Sequence, residues 1–276
     1  MNTSSPKQSF TWWSFANRGV EPEALLAGAA RIGYAGVELI DESLWPRARD
    51  HGLEIVTANG HGAIENGLNR RENAPRILGE LRASIAKAVE WRIPVLICFS
   101  GNRTGAGNGN PDTSRSGDAG GLAIAAETLA RIAPEAERAG VTLAVELLNS
   151  RVDHAGYECD HTAWGVALCE RVNSPAVKLL YDIYHMQIME GDLIRTIRRD
   201  HRRFAHYHTA GNPGRGPIDG GAALPDGAAS QEINYPAIFR TIRETGYAGF
   251  VGHEFFPGPD PLDDLARAHA LVAASE

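Results

Sequence analysis

Eight short apolar runs alternate with amphipathic segments along this chain of 276 residues, and this alternation constrains its fold more than any other feature. The runs are SFTWW, AGVELI, LEIVTA, PVLICFS, VTLAVELL, VKLLYDI, FAHYHTA and GFVGHEF. Most of the intervening segments carry apolar residues at helical spacing, and several end in Gly, which commonly stops a helix. Apolar strands that are each followed by a helix indicate parallel strands buried on both faces.

Eight such units in one chain predict an α/β fold, a single (β/α)8 TIM barrel, rather than an open sheet. No composition shift marks a second domain, so we predict a flexible N-terminus over residues 1–8 and one barrel domain over residues 9–276. The second unit is the weakest, because its helix would contain Pro46. Residues 100–121 and 211–231 are long Gly-rich loops after the fourth and seventh strands, and are candidates for mobile lids.

Composition and charge exclude several classes of function. The net charge of −7 argues against a nucleic-acid-binding surface, which needs a basic footprint. Neither a signal-peptide core nor a run long enough to span a bilayer is found, so no membrane partner is expected. The cysteines stand at no metal-like spacing and indicate buried thiols in a reducing compartment, so we expect a cytoplasmic protein. They are Cys98, Cys159 and Cys169.

Four consecutive predicted strands end in potential metal ligands. The ligands are Glu146, Asp182, His208 and Glu254. The carboxyl ends of barrel strands converge on one mouth, so these side chains are expected to meet there. A single one of them would be explained as a helix cap or a core histidine, but burying three carboxylates together is costly without a cation. Three carboxylates and one imidazole predict one divalent Mn, Mg or Co ion, with Zn less favoured because no thiolate joins the set.

Such a site predicts a chemistry as well as a metal. The ion would bind adjacent oxygens of a hydroxycarbonyl substrate and stabilise enediolate charge as a Lewis acid. Glu146 and Glu254 come from non-adjacent strands and would flank the substrate as the proton-transfer pair. The sequence therefore predicts metal-assisted proton transfer at a carbon beside the carbonyl of a hydroxycarbonyl substrate.

Five further residues are candidate substrate contacts. His185 follows Asp182 by three residues and could reach a substrate oxygen, although a packing histidine is the alternative. Arg215 lies in NPGRGP, where a guanidinium could pair with a substrate carboxylate. The others are His61 after the third strand, Trp13 after the first and Asn149 after the fifth.

Several stretches resemble one known family from about Gln8 onward. They are VELLNS, CDHTAWGVALCERVNSPAVKLLYDIYHMQIMEGD, HYHTAGNPGR, QEINYPAIFRTIRETGYAGFVGHEF and GHGAIENGLNRREN. The chain resembles the hydroxypyruvate isomerase-like branch of the xylose isomerase-like TIM barrel superfamily of sugar phosphate isomerases and epimerases. The resemblance implies metal ligands at Glu146, Asp182, His208 and Glu254. It also implies proton transfer by the two glutamates and substrate contacts by His185 and Arg215.

The resemblance leaves the reaction open among related activities. Conversion of hydroxypyruvate to 2-hydroxy-3-oxopropanoate (tartronate semialdehyde) is the first candidate, and a ketose 3-epimerase or a 2-oxo-tetronate isomerase is the alternative. Hydroxypyruvate isomerases tend to have Gln where His208 stands, and the histidine is closer to the epimerase pattern. An oxo-sugar-acid decarboxylase or lyase and a non-catalytic binding barrel are more distant alternatives. The family commonly forms dimers or tetramers, so the resemblance allows a homo-oligomer. No feature of this sequence indicates where its interface would lie.

Overall fold

The computed structural model describes residues 6–16, 18–103, 118–219 and 231–275. Its eight parallel strands follow one another in chain order around a closed barrel, which confirms the predicted (β/α)8 TIM barrel. The strands are β1 (Lys7–Thr11), β2 (Gly36–Glu38), β3 (Glu54–Asn59), β4 (Val95–Cys98), β5 (Thr142–Glu146), β6 (Val177–Asp182), β7 (Phe204–Thr209) and β8 (Phe250–His253). Each overlaps one of the eight predicted runs.

Ten α-helices are found in the described ranges. They are α1 (Trp12–Phe15), α2 (Pro22–Ile32), α3 (Trp45–Asp50), α4 (Ala74–Trp91), α5 (Asp118–Ala139), α6 (Thr162–Val172), α7 (Ile183–Met189), α8 (Leu193–Asp200), α9 (Tyr235–Glu244) and α10 (Pro261–Ala273). Seven match the amphipathic segments, and α3 is the short helix expected around Pro46, which occupies its first turn. Helices α1 and α7 follow their strands without a loop and were not predicted.

Two predicted boundaries are wrong by a few residues. Trp12 and Trp13 lie in α1 rather than in the first strand, which ends at Thr11. Strand β1 already begins at Lys7, where the backbone N–H donates to the carbonyl of Gly249 at 3.0 Å, so the predicted flexible segment 1–8 extends two residues too far. The central parts of both predicted lid loops, residues 104–117 and 220–230, lie outside the described residues.

The chain divides into two compact units. The first unit contains residues 1–56, 192–201 and 206–276, and the second contains residues 57–191 and 202–205. The prediction of one domain over residues 9–276 stays a prediction.

In the first unit, β1 pairs with β2 on one side and with β8 on the other, and β8 pairs with β7. Its helices carry the expected end signals. Helix α2 starts at Pro22 and ends before Gly33, whose φ of 114° is left-handed. Asn234 and Asp260 cap α9 and α10 by accepting backbone N–H groups of the first turn.

In the second unit, β3, β4, β5 and β6 pair in sequence order. Leu96, Leu143 and Leu179 are fully buried in these strands, as expected of a parallel sheet covered on both faces. The three cysteines are buried free thiols, as predicted, and burial raises the pKa of Cys98 and of Cys169 to about 12.

None of the helices in the described ranges combines the length and apolar character that a bilayer crossing requires.

Candidate metal centre

In the second unit, strands β5 and β6 end at two of the predicted ligands, Glu146 and Asp182. Glu146 is the last residue of β5, and the hydroxyl of the buried Tyr157 donates to its backbone carbonyl at 2.9 Å. Asp182 is the last residue of β6 and the N-cap of α7, where its Oδ1 accepts the backbone N–H of His185 at 3.0 Å. Both carboxylates are buried. The strand end therefore fixes the backbone of each ligand, and the cap also orients the carboxylate of Asp182.

Asn149 holds His185 in one orientation. Its Oδ1 accepts the backbone N–H groups of Val152 and Asp153, each at 2.9 Å, so its Nδ2 is the donor that lies 2.6 Å from Nδ1 of His185. Because Nδ1 accepts, neutral His185 carries its proton on Nε2, which lies 3.7 Å from Oδ2 of Asp182. The structure thus brings three of the sequence candidates together.

In the first unit, Glu254 follows β8 and contacts polar side chains of the same unit. Its backbone N–H donates to the carbonyl of Thr209 at 2.9 Å, which extends the strand pairing to this residue. Its Oε1 accepts the indole N–H of Trp13 at 3.1 Å, and its Oε2 accepts from Nη2 of Arg215 at 2.5 Å. Nδ1 of His208 lies 3.2 Å from the same Oε2. Glu254 is therefore a buried carboxylate with a neutral donor on Oε1 and a cationic donor on Oε2.

Arg215 is held by its backbone and by two aromatic rings. It has a left-handed φ of 55° and follows Gly214 at 86°, and its carbonyl accepts the N–H of Phe256 at 2.7 Å. The guanidinium lies over the rings of Trp13, at 5.3 Å, and Phe256, at 6.0 Å. Trp13 remains 41% exposed, so its ring is accessible to solvent. Arg215 and Trp13 thus contact a candidate catalytic residue, and their contact with substrate stays a prediction.

Glu38, at the end of β2, is a buried carboxylate that sequence reasoning did not single out. Its Oε1 accepts from the hydroxyl of Ser9 at 2.5 Å, and Nε2 of His208 lies 3.0 Å from its Oε2. Nε2 of His206 lies 3.0 Å from Oε1 and 2.9 Å from Oε2. Burial favours the neutral acid, but the two histidines outweigh it and hold the pKa of the Glu38 carboxyl well below its ordinary range. A charged residue inside the apolar run AGVELI is the sequence feature from which the importance of Glu38 could have been predicted.

His61 is bonded to backbone groups through both ring nitrogens. Nε2 accepts the N–H of Phe99 at 3.0 Å, and Nδ1, which must then carry the proton, donates to the carbonyl of Gly62 at 3.0 Å. Burial lowers the pKa of His61 below its ordinary value. These contacts join the loop after β3 to the end of β4, and a role of His61 in substrate binding stays a prediction.

The four predicted ligands fit a divalent cation. Glu146 and Asp182 of the second unit and His208 and Glu254 of the first unit are all buried, and each offers one ligand atom. An imidazole lone pair and a carboxylate oxygen 3.2 Å apart, as in His208 and Glu254, repel unless a proton or a cation lies between them. Three carboxylates and one imidazole nitrogen are a donor set suited to such an ion.

The chain belongs to the xylose isomerase-like TIM barrel family, whose model matches residues 26–272. This result confirms the resemblance at the level of the superfamily.

Individual relatives carry several different names. A 2-oxo-tetronate isomerase of Cupriavidus necator is 36% identical over 48% of this chain, and the match spans 46% of that relative. The chain therefore spans about half the length of that curated relative. Hydroxypyruvate isomerase of Escherichia coli is 28% identical, with 83% of this chain and 85% of that protein covered. The structure of an L-ribulose 3-epimerase shares the fold, with a TM-score of 0.76, 21% identity, and 98% and 94% of the two chains covered.

Proposed function

We propose that this chain is a metal-dependent isomerase of small hydroxycarbonyl acids or sugars, with hydroxypyruvate to 2-hydroxy-3-oxopropanoate as the first candidate reaction. The observation that carries the proposal is that four buried ligand-type side chains, two of them glutamates, stand at or next to the ends of strands β5 to β8. The names of the relatives, hydroxypyruvate isomerase and 2-oxo-tetronate isomerase, support the same class of chemistry.

Glu146, Asp182, His208 and Glu254 would hold the metal, for which Mn, Mg and Co are the candidates and Zn a less favoured one. A bound divalent ion supplies Lewis-acid polarisation of the substrate oxygens and stabilises the negative charge of an enediolate. The partner is a small molecule. A cytoplasmic location and a homo-oligomeric state stay predictions.

The reaction moves one proton between neighbouring carbons. One carboxylate of the pair Glu146 and Glu254 removes a proton from C3 of hydroxypyruvate, and a proton is returned to C2. The proton of the C3 hydroxyl passes to the C2 oxygen, so the C3 hydroxyl becomes the aldehyde, the C2 carbonyl becomes the hydroxyl, and atoms and charge balance. The guanidinium of Arg215 favours the ionised form of Glu254, which a base requires. His185, fixed by Asn149, offers an Nε2–H donor for a substrate oxygen.

A ketose 3-epimerase or a 2-oxo-tetronate isomerase is the second candidate, because it would use the same pair of carboxylates. His208 at a position where hydroxypyruvate isomerases tend to have Gln favours this alternative. The 36% identity to a 2-oxo-tetronate isomerase favours it as well.

Substrate screening in deuterated water distinguishes these reactions. The protein is loaded with Mn or Mg and incubated with hydroxypyruvate, a 2-oxo-tetronate, fructose or tagatose, and the products are read by NMR. Hydroxypyruvate isomerisation places deuterium at C2 of the product, whereas 3-epimerisation of a ketose places it at C3. Turnover of none of these compounds by the loaded protein would contradict the proposal.

Glu146→Gln tests the proton-transfer role. We expect this variant to lose deuterium exchange while it still binds metal, because the amide keeps a ligand oxygen but is no base. Glu244→Gln is the matched control, since Glu244 pairs with Arg198 on the surface and should exchange like wild type. Normal exchange by Glu146→Gln would remove Glu146 from this role.

A further inference from the structure

The small residue Gly252 in the first unit lets the side chain of Glu38 reach β7, a strand with which β2 does not pair. Gly252 of β8 is the register partner of Ser9 on β1 and of His208 on β7. A Cβ at Gly252 would overlap Oε1 of Glu38 and would lie 3.0 Å from Cδ2 of His208. The absence of a side chain at Gly252 therefore leaves the space in which the Glu38 carboxylate meets His206 and His208.

This contact selects one tautomer of His208. An ionised carboxylate only accepts hydrogen bonds, so Nε2 of His208, 3.0 Å from Oε2 of Glu38, must carry a proton. In neutral His208 the lone pair then belongs to Nδ1, which is the nitrogen 3.2 Å from Oε2 of the predicted ligand Glu254. Metal-bound histidines commonly donate their second N–H to a carboxylate in this way.

We propose that Glu38 is a positioning residue that holds His208 as the Nε2–H tautomer and directs Nδ1 toward the metal. This inference rests on the proposed metal-dependent function. It assigns a role in metal affinity to a residue outside the four ligands, and it explains why a glutamate is buried at the end of β2.

The cluster could instead be a second metal site, because ligand atoms of Glu38, His206 and His208 also lie within 4.8 Å of one another. The hydrogen bonds favour the positioning role. The Glu38 oxygens accept from the Ser9 hydroxyl and from both imidazoles at 2.5 to 3.0 Å, which satisfies the carboxylate without an ion. The two interpretations differ in stoichiometry, one ion per chain against two.

The positioning role is tested by comparing the Mn affinity of the wild-type chain with that of Glu38→Gln. Isothermal titration calorimetry of the whole chain measures both the affinity and the number of ions bound. An amide offers one acceptor oxygen and an N–H₂ group, so it cannot accept from both histidines and the Ser9 hydroxyl as the carboxylate does. We expect one ion per chain in wild type and a roughly 10-fold to 100-fold weaker affinity in Glu38→Gln, the usual effect of losing such a partner. Glu38→Asp should recover part of the affinity. Glu54→Gln is the control, because Glu54 pairs with Lys7 on the surface.

Nitrogen-15 NMR of the Mg-saturated wild-type protein is a second readout that needs no variant at position 38. We expect a proton on Nε2 of His208, with signals assigned by their loss in His208→Gln. A proton on Nδ1, an unchanged affinity in Glu38→Gln, or two ions per chain would each overturn the inference. A wild-type chain that binds no divalent ion would instead overturn the proposed function, so the two failures are distinguishable.

Discussion

Replacing Asn149 by Ala should lower the free energy of unfolding far more than replacing an exposed asparagine by Ala. The amide of Asn149 accepts two backbone N–H groups at 2.9 Å and donates to Asp153 and to His185 at 2.6 Å. At a net contribution of about 0.5–1.5 kcal/mol for each hydrogen bond, four of them sum to about 2–6 kcal/mol. Asn234→Ala is the matched control, because its exposed amide makes one capping bond to α9, whose loss costs about 1 kcal/mol.

Urea unfolding of both variants and wild type, followed by circular dichroism in the presence of EDTA, measures the two losses. The His185 imidazole gives a second signal. In wild type its proton lies on Nε2, and in Asn149→Ala this preference should weaken, which nitrogen-15 shifts would record. Equal unfolding midpoints for Asn149→Ala and Asn234→Ala, with the His185 tautomer unchanged, would refute the reasoning.

Two further predictions follow from buried groups. Because burial lowers the folded-state pKa of His61 below its ordinary value of 6.5, its contribution to stability is present above pH 6.5 and is lost as the pH falls through the folded pKa. The unfolding free energy of wild type should therefore fall more steeply with acidification below pH 6.5 than that of His61→Gln, and parallel pH profiles would contradict this. The three buried thiols should not react with a thiol reagent in the native state and should all react in urea, as measured by absorbance. Rapid labelling of Cys98, Cys159 and Cys169 in the native protein would contradict their burial.

The order of elements could be predicted from the sequence because each strand is buried on both faces and each long helix has an apolar stripe. The short helices could not. Helix α7 is seven residues long and starts directly at the strand end, where Asp182 is both the last strand residue and the cap. Helix α1 spans only Trp12–Phe15, and its aromatic residues equally favour a strand.

The ligand set could be predicted because its members share one position, the carboxyl end of a strand. The partners of these ligands depend on contacts between residues far apart in sequence. Glu38 and His208 are separated by 170 residues, and no spacing rule connects β2 with β7. The pairing of Arg215 with Glu254 depends on the left-handed backbone of a loop, which glycine content alone does not specify.

Divalent-metal binding by the wild-type chain tests the central claim most directly. Calorimetric titration with Mn, combined with anomalous diffraction from the loaded crystal, should give one ion bound by Glu146, Asp182, His208 and Glu254. Asp182→Asn should lose most of the affinity, while the exposed Asp50→Asn should bind as wild type does. A chain that takes up no ion under saturating Mn, or that binds it away from these four side chains, would contradict the account.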